Sequence, residues 1–142
     1  MRYSRGMERD ENIAAVRRMW DAYHEQGLRG ILAFAAPDAE WRPYSAHGRV
    51  FHGNDEYAAY IDEMERNFKV VEAQLVDMHA EADCVVVSGR LRLRGPEGLE
   101  DNPMHWVHRF RHGQIVLTTS YPNLENALEA AGLDAANRVE AH

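Results

Sequence analysis

The chain has 142 residues and a formal net charge of −7 at pH 7. Such a length suits one domain, which buries roughly 70% of the surface of its unfolded chain and needs no disulfide or metal to hold its core. The negative charge disfavours nonspecific binding to nucleic acid or anionic lipid, and no apolar run reaches the roughly 18 residues of a membrane span. The single cysteine, Cys84, cannot form an internal disulfide, and the N-terminus lacks the pattern of a signal peptide. We therefore expect a cytoplasmic protein whose partner is a small molecule or another protein.

The N-terminal half has apolar residues at helical spacing. Residues 1–9 show no periodicity and are expected to form a flexible lead. A first helix is predicted from Asp10, and a second, short helix follows Gly27 and stops at Pro37. A third helix begins near Asn54, whose side chain can cap free backbone amides.

The chain changes from helical to strand periodicity after Phe68. A short strand is predicted before that point, at residues 40–44. The four long predicted strands are residues 70–78, 84–94, 103–111 and 114–121. Short turns join them, which predicts an antiparallel meander. A last helix begins after the cap Asn123 and ends at Gly132.

These elements predict an α+β fold: a cone-shaped, curved antiparallel sheet wrapped around three N-terminal helices, plus a short C-terminal helix. The helices are expected to pack on one face of the sheet. The domain should occupy residues 10–133, between the lead of residues 1–9 and a C-terminal tail at residues 134–142.

The last two strands form a predicted hairpin around the turn His112–Gly113. Strict alternation from this turn divides the side chains between two faces. The apolar face, expected to point inward, contains Met104, Trp106, His108, Phe110, Ile115, Leu117, Thr119 and Tyr121. His108 is the only histidine predicted within an apolar sheet face.

The histidines between residues 104 and 114 do not predict a metal site. His105 and His108 lie three apart on a strand and therefore point to opposite faces, while His112 lies in the turn. A second pair, His47 and His52, has no evident third ligand. We therefore predict no metal and no cofactor.

His108 and Tyr121 are the predicted catalytic residues. A neutral imidazole can act as a general base or a polar anchor, and a phenol can donate to a ligand oxygen. The predicted ligand-binding residues are Trp20, Tyr23, Trp41, Tyr60, Trp106 and Thr119. Core packing is the alternative for all of them, with His108 hydrogen bonded to a neighbour.

The opposite face of the sheet is rich in arginine. The series is Arg90, Arg92, Arg94, Arg109 and Arg111. It could bind an anion, but a solvated face or a homodimer interface suits an acidic chain better. Asp77 and Asp101 are the carboxylates nearest to a cavity edge, and solvation is the expected state of both.

The order of elements and several stretches resemble the nuclear transport factor 2-like superfamily, specifically its SnoaL-like branch. The stretches are VRRMWDAYHEQGLRGILAFAAPDAEW (16–41), GRVFHGNDEYAAYIDEM (48–64), HRFRHGQI (108–115) and YPNLENALEAAGL (121–133). The resemblance implies the cone fold. It leaves function open, since the superfamily includes isomerases, cyclases, epoxide hydrolases, dehydratases, ligand binders and noncatalytic partners.

The catalytic residues of these relatives are not retained. The base aspartate of ketosteroid isomerases aligns with Pro43, and their two oxyanion donors fall near Met19 and Trp106. Polyketide cyclases of the SnoaL type usually read G-x-I-x-E-x-W after the hairpin turn, where this chain has residues 113–119, GQIVLTT. The acid–arginine–acid set of limonene epoxide hydrolases has no visible counterpart.

Two hypotheses follow from the residues and the resemblance together. In the first, an aromatic cavity binds a hydrophobic metabolite of polyketide, terpenoid or steroid type and His108 catalyses a cofactor-free proton transfer. In the second, the protein is a noncatalytic carrier or a homodimeric interaction module. A homodimer through the outer sheet face is expected under both.

Overall fold

The computed structural model describes residues 5–140, without the side chain of Val71. In chain order the elements are α1 (Arg5–Gln26), a 3-10 helix (Leu28–Phe34), β1 (Ala35–Arg42), a 3-10 turn (Tyr44–Ala46), β2 (Phe51–His52), α2 (Asn54–Asn67), β3 (Lys69–Glu81), β4 (Cys84–Gly95), β5 (Gly98–Arg111), β6 (Gln114–Tyr121), α3 (Leu124–Ala131) and a 3-10 turn (Ala135–Asn137). The predicted α+β class is confirmed.

Helix α1 begins earlier than the sequence predicts. It already includes residues 5–9, so the predicted helix start at Asp10 is wrong, and residues 1–4 of the expected lead lie outside the described residues. Arg9 Nε donates to the carbonyl oxygen of Ala80 at 3.3 Å, and Asn12 Nδ2 donates to that of Ala82 at 2.7 Å. These bonds to the sheet are tertiary contacts that the apolar periodicity could not reveal.

The six strands form one mixed sheet in the order β2-β1-β6-β5-β4-β3. Strands β3 to β6 form the predicted antiparallel meander. The expectation of a wholly antiparallel sheet is wrong, because β1 pairs with β6 in the parallel direction. Short turns fix the direction of consecutive strands, whereas β1 and β6 are far apart in the sequence and no turn constrains them.

The boundary between the second predicted helix and the strand that follows it lies earlier in the chain than predicted. The helix is of 3-10 type and ends at Phe34, and β1 starts at Ala35 and includes Pro37. A Cβ on Gly30 would lie 2.7 Å from the carbonyl oxygen of Ala22, so glycine lets this helix pack closely on α1. Pro37 is tolerated because the pairing of β1 with β6 is irregular between Ala35 and Glu40.

The predicted ends of α2 and α3 are confirmed. Asn123 caps α3, and Gly132 ends it with a φ of 73°. Helix α2 begins at Asn54, but this side chain is not the cap. Asn54 Oδ1 instead accepts a hydrogen bond from Trp41 Nε1 at 3.1 Å, which attaches the start of α2 to β1.

The sheet is covered on both faces. On the concave face, α1 and α2 pack on a core that includes Val85, Val87 and Ile115. The three N-terminal helices thus share the concave face as expected. Helix α3, the short C-terminal helix, packs on the convex face over Cys84 and Val86. No helix within residues 5–140 is long and apolar enough to cross a membrane.

Candidate ligand cavity

A cavity of about 170 Å³ opens on the concave face, between the helices and the curved sheet. Its lining consists of Met19, Trp20, Tyr23, Leu28, Ile31, Trp41, Pro43, Ser45, Tyr57, Tyr60, Met64, Val70, Ala73, Leu91, Leu93, Met104, Trp106, His108, Thr118 and Ser120. His108 of β5 pairs with Val85 of β4, eight residues from Leu93, so His108 and Leu93 lie at opposite ends of this lining.

His108 is the buried polar group at the inner end of this lining. Its side chain is 4% exposed, and its Nδ1 lies 2.8 Å from the hydroxyl of Thr118 on β6. Burial lowers the pKa of His108 from its ordinary 6.5 to about 4, so the imidazole is neutral at pH 7. No described residue hydrogen bonds to Nε2, which leaves this nitrogen available to a ligand.

A β-bulge in β6 changes which residues face the cavity. The hairpin pairs Phe110 with Ile115 as predicted, but Arg109 then pairs with Leu117 and the register shifts by one residue. Val116 is the extra residue. Every side chain of β6 beyond it therefore points to the face opposite to the predicted one.

The expected inward positions of Thr119 and Tyr121 are therefore wrong. Neither residue lines the cavity, and Tyr121 packs against the convex cluster beneath α3. Thr118 and Ser120 take their places on the concave face. The sequence contained one signal, because the run Ile115–Leu117 is apolar at three successive positions and does not fix an alternation.

Five of the six predicted ligand-binding residues do come together around the cavity, as does His108. They are Trp20, Tyr23, Trp41, Tyr60 and Trp106. Trp41 stacks on Tyr57 with ring centroids 4.2 Å apart, and Trp20 meets Trp106 edge to face at 5.8 Å. The prediction of an aromatic concave surface is correct in geometry, while its role in binding stays a prediction.

The remaining polar groups of the lining mostly have hydrogen-bond partners within the protein. The hydroxyls of Ser45 and Tyr60 lie 2.8 Å apart, and Ser120 Oγ accepts from the backbone N–H of Tyr44 at 2.7 Å. Tyr57 is an exception, since no described residue hydrogen bonds to its hydroxyl. Burial raises the pKa of Tyr57, so this phenol is a neutral donor. Four residues of the lining lie outside the predicted set: Ser45, Tyr57, Thr118 and Ser120.

Gly89 on β4 permits the two tryptophans to lie against the sheet. A Cβ at this position would lie 2.7 Å from the carbonyl oxygen of Gln74, 3.0 Å from the Trp106 ring and 3.4 Å from the Trp20 ring. The missing side chain therefore helps to set the width of the cavity.

The arginines of the convex face mostly have partners within the chain. Arg90 pairs with Asp101 at 3.1 Å, and Arg92 pairs with Glu72 at 3.5 Å. Asp77 pairs with Arg138 of the tail at 3.1 Å. These pairs are at least partly exposed, and the first two neutralise Arg90 and Arg92 of the five arginines that could have bound an anion.

The predicted separation of the histidines is also seen in the structure. His105 points to the convex face, where its Nδ1 lies 2.7 Å from Ser88 Oγ, and His112 lies in the turn with a φ of 52°. Within residues 5–140, no group of three His, Cys, Asp or Glu side chains is placed to hold a metal ion.

Solved structures of the same fold are numerous. A nuclear transport factor 2-like protein of unknown function from Burkholderia pseudomallei is 26% identical, with a TM-score of 0.68 over 84% of this chain and 95% of that one. A SnoaL-like polyketide cyclase, so named by similarity, from Jannaschia is 20% identical, with a TM-score of 0.70 over 92% and 96%. A protein from Catenulispora acidiphila with a ketosteroid isomerase-like fold, solved in complex with trimethylamine, is 16% identical, with a TM-score of 0.64 over 83% and 95%.

None of the curated proteins compared with the chain matches it. The model of the SnoaL-like domain family matches residues 16–118. This match covers most of the chain: the second part of α1, all of α2, strands β1 to β5 and the first part of β6. The chain belongs to the SnoaL-like domain family of the nuclear transport factor 2-like superfamily.

Proposed function

We propose that this protein binds a compact hydrophobic metabolite in the concave cavity, with His108 as its polar anchor. One observation carries the proposal: a neutral, buried imidazole lies in an otherwise largely apolar lining. Thr118 holds Nδ1 of this imidazole, and Nε2 remains unbonded. A mostly apolar cavity with a few placed polar groups is the usual form of a small-molecule site.

The volume of the cavity limits the size of the metabolite. Cavities for drug-sized ligands typically measure about 300–1,000 Å³, and one of about 150 Å³ holds benzene. At about 170 Å³ this cavity suits a ligand of one or two rings better than a steroid. Among the ligand types that the family resemblance implies, a small aromatic polyketide or a small terpenoid fits best.

A ligand retained through purification would test this proposal directly. Native mass spectrometry of the intact protein should show an added mass that is lost on denaturation. His108→Leu should reduce its retention, because the buried ligand oxygen would lose its partner. His112→Ala, in the exposed turn, is the matched control and should retain the ligand. Equal retention by both variants would contradict the assignment of His108.

A second candidate function is cofactor-free proton transfer, as in an isomerisation, cyclisation or dehydration. The observation that favours it is the unbonded Nε2 of the neutral His108 ring, which can accept a proton in the tautomer that carries its hydrogen on Nδ1. Tyr121 cannot assist from the convex face, whereas Tyr57 of the lining has a hydroxyl to which no described residue hydrogen bonds. A general base contributes about 10²–10⁴-fold in rate. Turnover of the identified ligand that survives His108→Gln without such a loss would exclude this candidate.

We also propose that two copies associate through the convex face of the sheet. An isologous pair of acidic chains would place the paired arginines and carboxylates of one copy against those of the other. Light scattering should then report twice the chain mass at micromolar concentration. A monomer at that concentration would refute the association and leave the ligand cavity unaffected.

A further inference from the structure

The lining of the cavity carries no formal charge. Of the described side chains that form it, none is Asp, Glu, Lys or Arg. Two ion pairs lie on nearby elements, Arg29 with Asp62 and Arg49 with Glu63, and all four side chains are about half exposed. The carboxylate of Glu65 also acts on Tyr23 of the lining, where it helps to raise the pKa of the phenol after burial. An anion in the cavity would therefore lose its hydration without gaining an opposite charge, which is strongly unfavourable.

His108 does not supply the missing charge. Because burial lowers its pKa to about 4, an acid that ionises near neutral pH keeps its proton in preference to giving it to this imidazole. A pair of ligand anion and imidazolium would therefore not form spontaneously at the inner end of the cavity. The site can offer hydrogen bonds from His108 and Tyr57, but not a counter-ion.

The hydrogen-bonding options of His108 favour a hydroxyl group. The contact with Thr118 fits either tautomer, so Nε2 is either a donor or an acceptor. A ligand hydroxyl can both donate and accept, and therefore satisfies either state. A ketone oxygen can only accept, and it would suit only one of them.

The aromatic walls do not favour an organic cation. One face of Trp41 is covered by Tyr57, and Tyr60 is stacked on Phe51 at 4.7 Å. The guanidinium of Arg49 already lies 5.6 Å from the Tyr60 ring centre. Since cation binding needs free ring faces around the ligand, these contacts remove part of what a cation would use.

We infer that the cavity selects an uncharged compound of one or two rings whose hydroxyl group hydrogen bonds to His108 Nε2, and that it rejects the ionised form of the same compound. This inference rests on the proposed binding function and adds the charge state and the polar group of the ligand.

The probe that tests it is 4-nitrophenol, whose hydroxyl ionises close to neutral pH and whose phenolate absorbs visible light. At a pH where the free probe is mostly phenolate, addition of the protein should reduce this absorbance, because the neutral form binds. We expect at least about a tenfold preference for the neutral form, which raises the apparent pKa of the bound probe by about one unit. An increase in phenolate absorbance would overturn the inference while leaving the binding function in place.

Matched probes separate the two proposals. In calorimetry, 4-nitrotoluene lacks the hydroxyl and should bind roughly tenfold more weakly than neutral 4-nitrophenol, as expected for one lost hydrogen bond. Tighter binding of the cationic trimethyl(4-nitrophenyl)ammonium would overturn the selection for uncharged ligands. Failure of every probe to bind would refute the proposed function itself.

Variants locate the effect at His108. His108→Leu should weaken 4-nitrophenol about tenfold and leave 4-nitrotoluene nearly unchanged, while the exposed control His112→Ala should change neither. His108→Gln keeps a neutral donor and acceptor, so it should restore part of the affinity and serves if the leucine variant does not fold. Unchanged 4-nitrophenol affinity in His108→Leu would show that the hydroxyl does not contact this residue, as would equal weakening of 4-nitrophenol and 4-nitrotoluene in His108→Gln.

Discussion

The buried imidazole of His108 should make the protein less stable in acid by an amount that can be measured. Its pKa falls from 6.5 to about 4 on folding, because burial disfavours the charged form. Between these values the unfolded chain binds a proton that the folded chain does not, so stability is lost as the pH falls from about 6.5 to about 4. A shift of this size corresponds to about 3 kcal/mol.

The assay is urea unfolding followed by tryptophan fluorescence, at pH values from about 7 to about 4. Wild type should lose about 3 kcal/mol more over this range than His108→Gln, which has no proton to take up at this position. Carboxylates and the other histidines contribute equally to both proteins and cancel in the difference. His112→Ala, in the exposed turn, should be less stable at every pH because its φ is positive, but it should lose stability in parallel with wild type over this range.

Parallel pH profiles for wild type and His108→Gln would refute the reasoning. That result would mean that His108 is accessible enough to be protonated in the folded protein. Titration of the His108 ring signals by nuclear magnetic resonance with a midpoint near the ordinary 6.5 would establish the same point independently.

Three further changes test other parts of the structure. Gly89→Ala places a methyl group against Gln74 and Trp106, so it should cost about 1–3 kcal/mol in urea unfolding and weaken probe binding in calorimetry. Asn123→Ala removes the cap of α3 and should cost about 1 kcal/mol in thermal unfolding without changing probe affinity. Cys84 is buried and its pKa is raised to about 11 by burial, so a thiol reagent should modify it only as fast as the protein unfolds; rapid modification of the native protein would contradict this placement.

Local patterns in the sequence predict much of the fold because short turns and caps impose their own geometry. The His112–Gly113 turn has positive φ at both residues, as a two-residue hairpin requires, and the meander follows from such connections. Asn123 and Gly132 fix α3 in the same local way. The parallel pairing of β1 with β6 has no such marker, because it depends on residues about 80 positions apart meeting across the core.

The same difference between local patterns and long-range packing decides which residues of the candidate site could be predicted. Trp20, Trp41 and Tyr60 could be assigned to the cavity because each lies on the apolar side of its own element. Thr118 and Ser120 could not, because one extra residue in β6 reverses every face that follows it. The sequence could not predict the volume of the cavity either, because this volume depends on how side chains of several elements pack together.

The bulge at Val116 decides which of two alternating sets of side chains on β6 faces the cavity. In a regular hairpin that paired every residue of β6, Leu117 and Thr119 would face the cavity with His108, and Tyr121 would leave its place beneath α3. Because Val116 is the residue without a partner, its deletion would leave Leu117 opposite Arg109 and Thr118 opposite His108, and the cavity surface would stay as it is. In this fold, a shift of the hairpin register by one residue could thus give a new cavity surface and a new packing surface in one step, without a substitution in either.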